Sequence, residues 1–203
     1  WPGSGRAEAR PAWPPEDGLG DEAFWEQVRA QYPVTRNRTY LNTGGLGPAP
    51  YTVLDVVETT TRALQAVSEH GHGQIEAARE PVAAFFGAKP EEVAFMRNAT
   101  EGNATIASGL RMKAGDEVIF ETHAHPGGAV PWMSRQKQEG IRVRVFEPDP
   151  TSAAGNLERI AALITPRTRV IQVSHVTAPT GLRFPVEEIA RLAHERGLWF
   201  HVD

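Results

Sequence analysis

The chain has 203 residues, 40% of them hydrophobic, no cysteine and a formal charge of -4. That balance suits one globular domain, or one domain with an appendage. It excludes disulfides, thiolate metal sites and a cysteine nucleophile within these residues, and the scattering of Arg and Lys among acids lacks the basic footprint of a nucleic-acid binder.

No apolar run approaches the roughly 20 residues that span a bilayer. The expected location is the cytoplasm, or outside it after removal of an export signal. Residues 1–20, WPGSGRAEARPAWPPEDGLG, are rich in Pro, Gly and Arg without an apolar period, and read as a flexible leader. Asp21 is placed to cap a helix through EAFWEQVRAQY, with Phe24, Trp25 and Val28 on one face and Pro33 as its stop. RTYLNTGGLGPAP (38–50) predicts a short strand and a Gly/Pro turn, closing a segment 21–50 that precedes the main body, 51–203. Helical spacing follows from Tyr51 to about Glu69 and from Gln74 to Phe86, with HGHG (70–73) between them as a turn or, alternatively, a metal-binding pair.

From residue 91 the pattern becomes strand, helix, strand. The strand-like runs are EVAFMR (92–97), EVIFET (117–122), IRVRVFE (141–147), RVIQVSHV (169–176) and LWFHVD (198–203), with helical segments near 102–112, 128–139, 155–164 and 185–196. Such spacing is the sequence form of right-handed βαβ crossovers. The fold class is therefore α/β, a mainly parallel sheet with helices on both faces.

Ligands of open α/β sheets bind beyond the carboxyl ends of the strands. Four of the five runs lead into polar residues there: Asn98-Ala99-Thr100-Glu101-Gly102, His123-Ala124-His125, Ser174-His175-Val176-Thr177, and Asp203; IRVRVFE, followed by PDP, does not. RNATEGNAT (97–105) puts small and hydroxylated residues where a helix begins, which suits phosphate or simply an N-cap. THAH (122–125), with His175 and Asp203, could hold a divalent metal in a hydrolase; alternatively one imidazole stacks on an aromatic ligand. A carboxylate closing a dry strand must be paired, and a protonated ring nitrogen is a partner that gains from it; a structural cap is the plain alternative.

From Asp21 to Asp203 the sequence resembles the class V, fold-type I pyridoxal-phosphate enzymes, the group of cysteine desulfurases, serine–pyruvate aminotransferases and isopenicillin N epimerase. YLNTGGLGPAP is similar to the substrate-side amino-terminal segment, RNATEGNAT to the phosphate loop, ETHAHPGGAVPW to the desulfurase stretch ending Val-Pro-Trp, and VSHVTAPTGLRFPVEEIARLAHERGLWFHVD to the run ending in the pyridinium-binding Asp. The resemblance implies a pyridoxal 5'-phosphate enzyme acting on an amino acid, of epimerase, aminotransferase or C–S lyase type, of which this is the amino-terminal half. It implies Ala99 and Thr100 at the phosphate, His123 over the ring in a catalytic position, Thr177 near the ring hydroxyl where desulfurases carry an Asn at the position of Ala178, Asp203 at the pyridinium, and Asn42, Gly44 and Gly45 beside the substrate. The Schiff-base lysine of the family falls about two dozen residues beyond Asp203, and Lys89, Lys113 and Lys137 do not replace it. These residues alone are accordingly expected to be inactive, and to work as a homodimer or with a second polypeptide that completes the fold. The other readings are a metal hydrolase using His123, His125, His175 and Asp203, and a non-catalytic scaffold.

Overall fold

The structure, a computed structural model, describes residues 12–15 and 20–203. Most of the leader expected over residues 1–20 lies outside the described residues. The chain divides into two compact units, residues 1–93 and 94–203.

The first unit is helical. Asp21 caps α1, Glu22–Arg29, by accepting a hydrogen bond from the Ala23 N–H at 2.9 Å, and Phe24 is the residue this helix buries. Helix α2, Tyr51–Val67, buries none of its residues, and α3, His72–Phe86, buries Ala83. HGHG is a turn into α3: Gly71 takes the left-handed conformation (φ 70°) and His72 opens the helix. The strand expected within 38–42 is absent; these residues form an irregular stretch and then a turn closed on the Asn42 carbonyl by Gly45 and Leu46.

The second unit carries the sheet. Helix α4, Ala99–Gly109, leads to β1, Glu117–Glu121; α5, Pro126–Glu139, to β2, Arg142–Phe146; α6, Ala153–Leu163, to β3, Thr168–Val173; and α7, Val186–Glu195, to β4, Trp199–Val202. The four strands lie in the order β2-β1-β3-β4 and every pairing is parallel. The expected fifth strand, 92–97, does not form. Pro90–Glu92 make a 3₁₀ turn, residues 93–97 pair with no strand among the described residues, and Phe95 and Met96 are each 44% exposed. Alternating apolar character suits a strand, but a strand exists only when a neighbour takes its backbone hydrogen bonds.

Period-two alternation sorts the sheet's side chains between two cores. Val118, Phe120 and Val170 pack with Ala107 of α4 and Trp132 of α5 on one face. Ile119, Phe146, Ile171 and Val173 pack with Ile160 of α6 and with Ile189 and Ala193 of α7 on the other. All five residues of β1 are buried, as befits a strand covered on both sides. From β1 the chain moves outward to β2, and from β3 outward to β4, so the order reverses between β1 and β3. Crevices at such a reversal are where doubly wound sheets bind ligands.

Candidate functional site

At this reversal the starts of α4 and α5 converge on the end of β4. Asn98 caps α4, its side chain accepting from the Glu101 N–H at 2.9 Å, and the Glu101 carboxylate accepts from the Arg97 N–H at 2.8 Å. Helix geometry leaves the N–H groups of Ala99 and Thr100 without an acceptor in their own helix, an anion-binding arrangement. Hydrogen bonding from the Arg97 side chain keeps the Glu101 carboxyl below the usual carboxylate range. One turn into the helix, buried Asn103 reaches from α4 to β4, donating from Nδ2 to Oδ1 of Asp203 at 2.9 Å.

Helix α5 enters from the other side. Its N-cap is His125, whose Nδ1 accepts from the Gly127 N–H at 3.0 Å. A Cβ on Gly127 would sit 2.5 Å from Thr100 Oγ1 and 3.1 Å from His125 Nδ1. At Gly128 it would sit 2.8 Å from Gln172 Nε2 and 2.9 Å from Asp203 Oδ2. The glycine pair thus lets α5 pass against Thr100 at one point and against Asp203 at the next.

Asp203 is held by backbone as well: its N–H donates to the Val173 carbonyl and its carbonyl accepts from the His175 N–H, both at 2.9 Å. Glu121, with 0% exposure at the end of β1, takes the Ser174 N–H on Oε1 at 2.9 Å, and its Oε2 has no partner. Burial pushes its carboxyl above the usual range and Asp203 adds to this, against the hydrogen bonds from Ser174. Burial pushes the His201 imidazole below its ordinary value, with Asp203 acting in the opposite direction.

The two histidines of THAH part company. His125 joins Thr100 and Gly127, as above. His123 is turned to the segments that follow β2 and β3: its Nε2 lies 3.4 Å from Glu147 Oε1 and its Nδ1 3.3 Å from Thr180 Oγ1. Glu147 also accepts from Thr122 Oγ1, so the run IRVRVFE does deliver a polar group to this edge, through its last residue. Thr177 is buried, its hydroxyl 2.7 Å from Thr180 Oγ1 and accepting from the Leu182 N–H at 3.0 Å; it is turned into its own loop, and Thr180 is the exposed hydroxyl. His175 is exposed.

The four residues weighed for a metal do not gather. Among the described residues no group of three His, Asp or Glu side chains is placed to share an ion. Asn42, Gly44 and Gly45 are exposed in the turn of the first unit, where Tyr40 donates its hydroxyl to the Asn42 carbonyl at 3.0 Å. Lys113 lies just before β1 and Lys137 in the last turn of α5, at the opposite edge of the sheet from Asp203. Sequence reasoning missed Asn103 and Gln172, and it named His125 only as one histidine of THAH and as a metal ligand. The Pro-Gly-Gly run after His125 was the available sign that a helix starts there at close quarters.

Residues 52–203 match the sequence pattern of the family described as aminotransferase class-V. A probable cysteine desulfurase of Methanothermobacter thermautotrophicus is 30% identical over 186 aligned residues, covering 88% of this chain and 46% of that protein. An isopenicillin N epimerase of Amycolatopsis lactamdurans is 30% identical over 189, covering 88% and 47%. Among solved structures, the cystine C–S lyase C-DES in complex with its reaction product, cysteine persulfide, superposes with a TM-score of 0.72 at 28% identity, covering 85% of this chain and 47% of that one. The chain spans about half the length of the relatives it matches.

Proposed function

The chain belongs to the class-V aminotransferase family, and from that premise we propose that its second unit holds pyridoxal 5'-phosphate for an enzyme acting on an amino acid, by epimerisation, transamination or C–S cleavage. The observation that carries this reading is a pair of unlike groups flanking the start of α5, one beside each of its first two glycines. One is the start of α4, with the unpaired N–H groups of Ala99 and Thr100; the other is Asp203, with Oδ1 engaged by Asn103. An elongated ligand with an anion at one end and a protonated nitrogen at the other matches both.

The residues fit the group on a further count. Beside Asp203, Gly128 has no Cβ to crowd Oδ2 or the unpartnered Nε2 of Gln172, which leaves both polar atoms open. When bound, the cofactor supplies an electron sink for the bonds of the substrate's α-carbon. The chain's own part is to keep that sink charged. Asp203, with Oδ1 engaged by Asn103, would accept the pyridine N–H on its other oxygen, and a carboxylate beside that nitrogen favours the protonated ring. Thr100 and the start of α4 anchor the phosphate, which orients the ring. Proximity to Thr100 supports His125 as the ring-facing imidazole; His123, the residue expected there, is assigned to holding the Thr177–Thr180 loop against Glu147. Thr180 rather than Thr177 then presents a hydroxyl toward the ligand. Asn42, Gly44 and Gly45 are proposed on the substrate side.

The proposal includes a lysine supplied from outside these residues, and a second copy or a second polypeptide that completes the site. A cytoplasmic location accompanies it; among the described residues no helix is long and apolar enough to cross a membrane. The test is a comparison of ligands. Pyridoxal phosphate is expected to bind the full chain more tightly than pyridoxal or inorganic phosphate, because it alone reaches both groups. Equal affinity for pyridoxal and pyridoxal phosphate would remove the role of α4.

A further inference from the structure

Gln172 stands in the middle of β3 with 1% exposure, a primary amide in the strand TRVIQV. Its oxygen accepts from Trp132 Nε1 at 2.6 Å. Its Nε2 carries two N–H groups and has no partner. Buried donors are rarely left so, and an unmet one marks strain or a missing acceptor.

The direction of the amide is fixed. An indole N–H can only donate, so the Gln172 oxygen must face Trp132 and the NH₂ must point away from it. That turns Nε2 toward Gly128, 2.8 Å from where a Cβ would stand, and Asp203 Oδ2 lies 2.9 Å from the same point. Asp203 Oδ1 is already taken by Asn103. We propose that Gln172 is a positioning residue for Asp203: Trp132 locks the amide, and its N–H groups, unbonded here, border the same point beside Gly128 as the free Oδ2 and orient that oxygen once a ligand is bound. A neutral donor is the right chemistry, since an Arg or Lys in its place would compensate the carboxylate and weaken its hold on a protonated nitrogen. Gly128 leaves this approach open, because a Cβ there would crowd both Nε2 and Oδ2.

The inference rests on the pyridoxal-phosphate reading for its ligand, though not for its geometry. In the full chain, Gln172→Leu should lower affinity for pyridoxal phosphate about tenfold, the effect of one hydrogen bond to a charged group. Inorganic phosphate, which meets only the start of α4, should bind as before. Trp132→Phe keeps the bulk and removes the N–H; the double variant should bind no more weakly than Gln172→Leu alone, since both act through one amide. Unchanged affinity in Gln172→Leu overturns the inference, and so does a parallel loss of phosphate binding, which marks a merely structural residue. Should the wild-type chain take up no pyridoxal phosphate, the proposed function fails by itself. The side-chain amide resonances of Asn103 then decide: Gln172→Leu shifts them if Gln172 positions Asp203, and their staying in place overturns the inference.

Discussion

Glu121 closes β1 as a carboxyl with no exposure, one hydrogen bond from the Ser174 N–H and one oxygen without a partner. Burial, with Asp203 nearby, raises its pKa in the folded chain. The folded protein therefore keeps this proton at a pH where the unfolded chain has released it. The associated stability is present below the ordinary carboxylate pKa and is lost as pH rises from there through the folded value, at no more than about 1.4 kcal/mol per pH unit. Glu121→Gln, which is always neutral, should not show this decline. Denaturant midpoints of the two proteins from pH 4 upward should diverge, with the variant gaining relative to wild type; parallel curves would refute a protonated Glu121. Asp203 and Thr100 were legible in the sequence because strand ends and helix starts can be read locally. Asn103 was not, because its partner lies 100 residues away and an Asn inside a helix carries no mark of what it meets. His123 and His125 differ by two positions, and the structure makes His125 the N-cap of α5, beside Gly127.

Helix α4 begins three residues before the sequence reading put it, because Asn98 rather than Gly102 is its boundary and Glu101 reciprocates by binding back to the Arg97 N–H. That arrangement is similar to a capping box, except that the return bond reaches the N–H of the residue before the N-cap, Arg97, rather than that of Asn98 itself. Asn98→Ala removes the cap and should cost about 1 kcal/mol in equilibrium unfolding, together with weaker binding of phosphate, whose site is the same helix start. A variant as stable as wild type would show the cap to be idle. Helices with clear apolar spacing and caps were readable to within a few residues. The segments 38–42 and 92–97 were over-read as strands for a shared reason: local composition reports suitability for pairing, whereas pairing is decided by a neighbour elsewhere in the fold.

At the scale of the molecule, composition and alternation were enough for a parallel α/β sheet, and the side chains of β1 and β3 divide between two cores as that class requires. The order β2-β1-β3-β4, and with it the reversal that gathers the site, came only from the structure, since right-handed crossovers permit more than one order. In the first unit, α3 ends with Phe85 and Phe86 83% and 73% exposed, and α2 exposes Val56 and Val57 at 65% and 58%. Apolar groups of this size suit the second copy or polypeptide proposed above. Sedimentation velocity should show concentration-dependent association that Phe85→Ser with Phe86→Ser reduces; identical behaviour of the two proteins would place the contact elsewhere.

The central claim is that Asp203 holds the protonated ring nitrogen of a ligand whose phosphate is held at the start of α4. Its most direct measurement is an equilibrium titration of pyridoxal phosphate into the wild-type chain and into Asp203→Asn, with circular dichroism showing the two equally folded. Loss of one charged hydrogen bond should weaken binding about 10- to 100-fold in the variant. Equal binding by both proteins would contradict the claim.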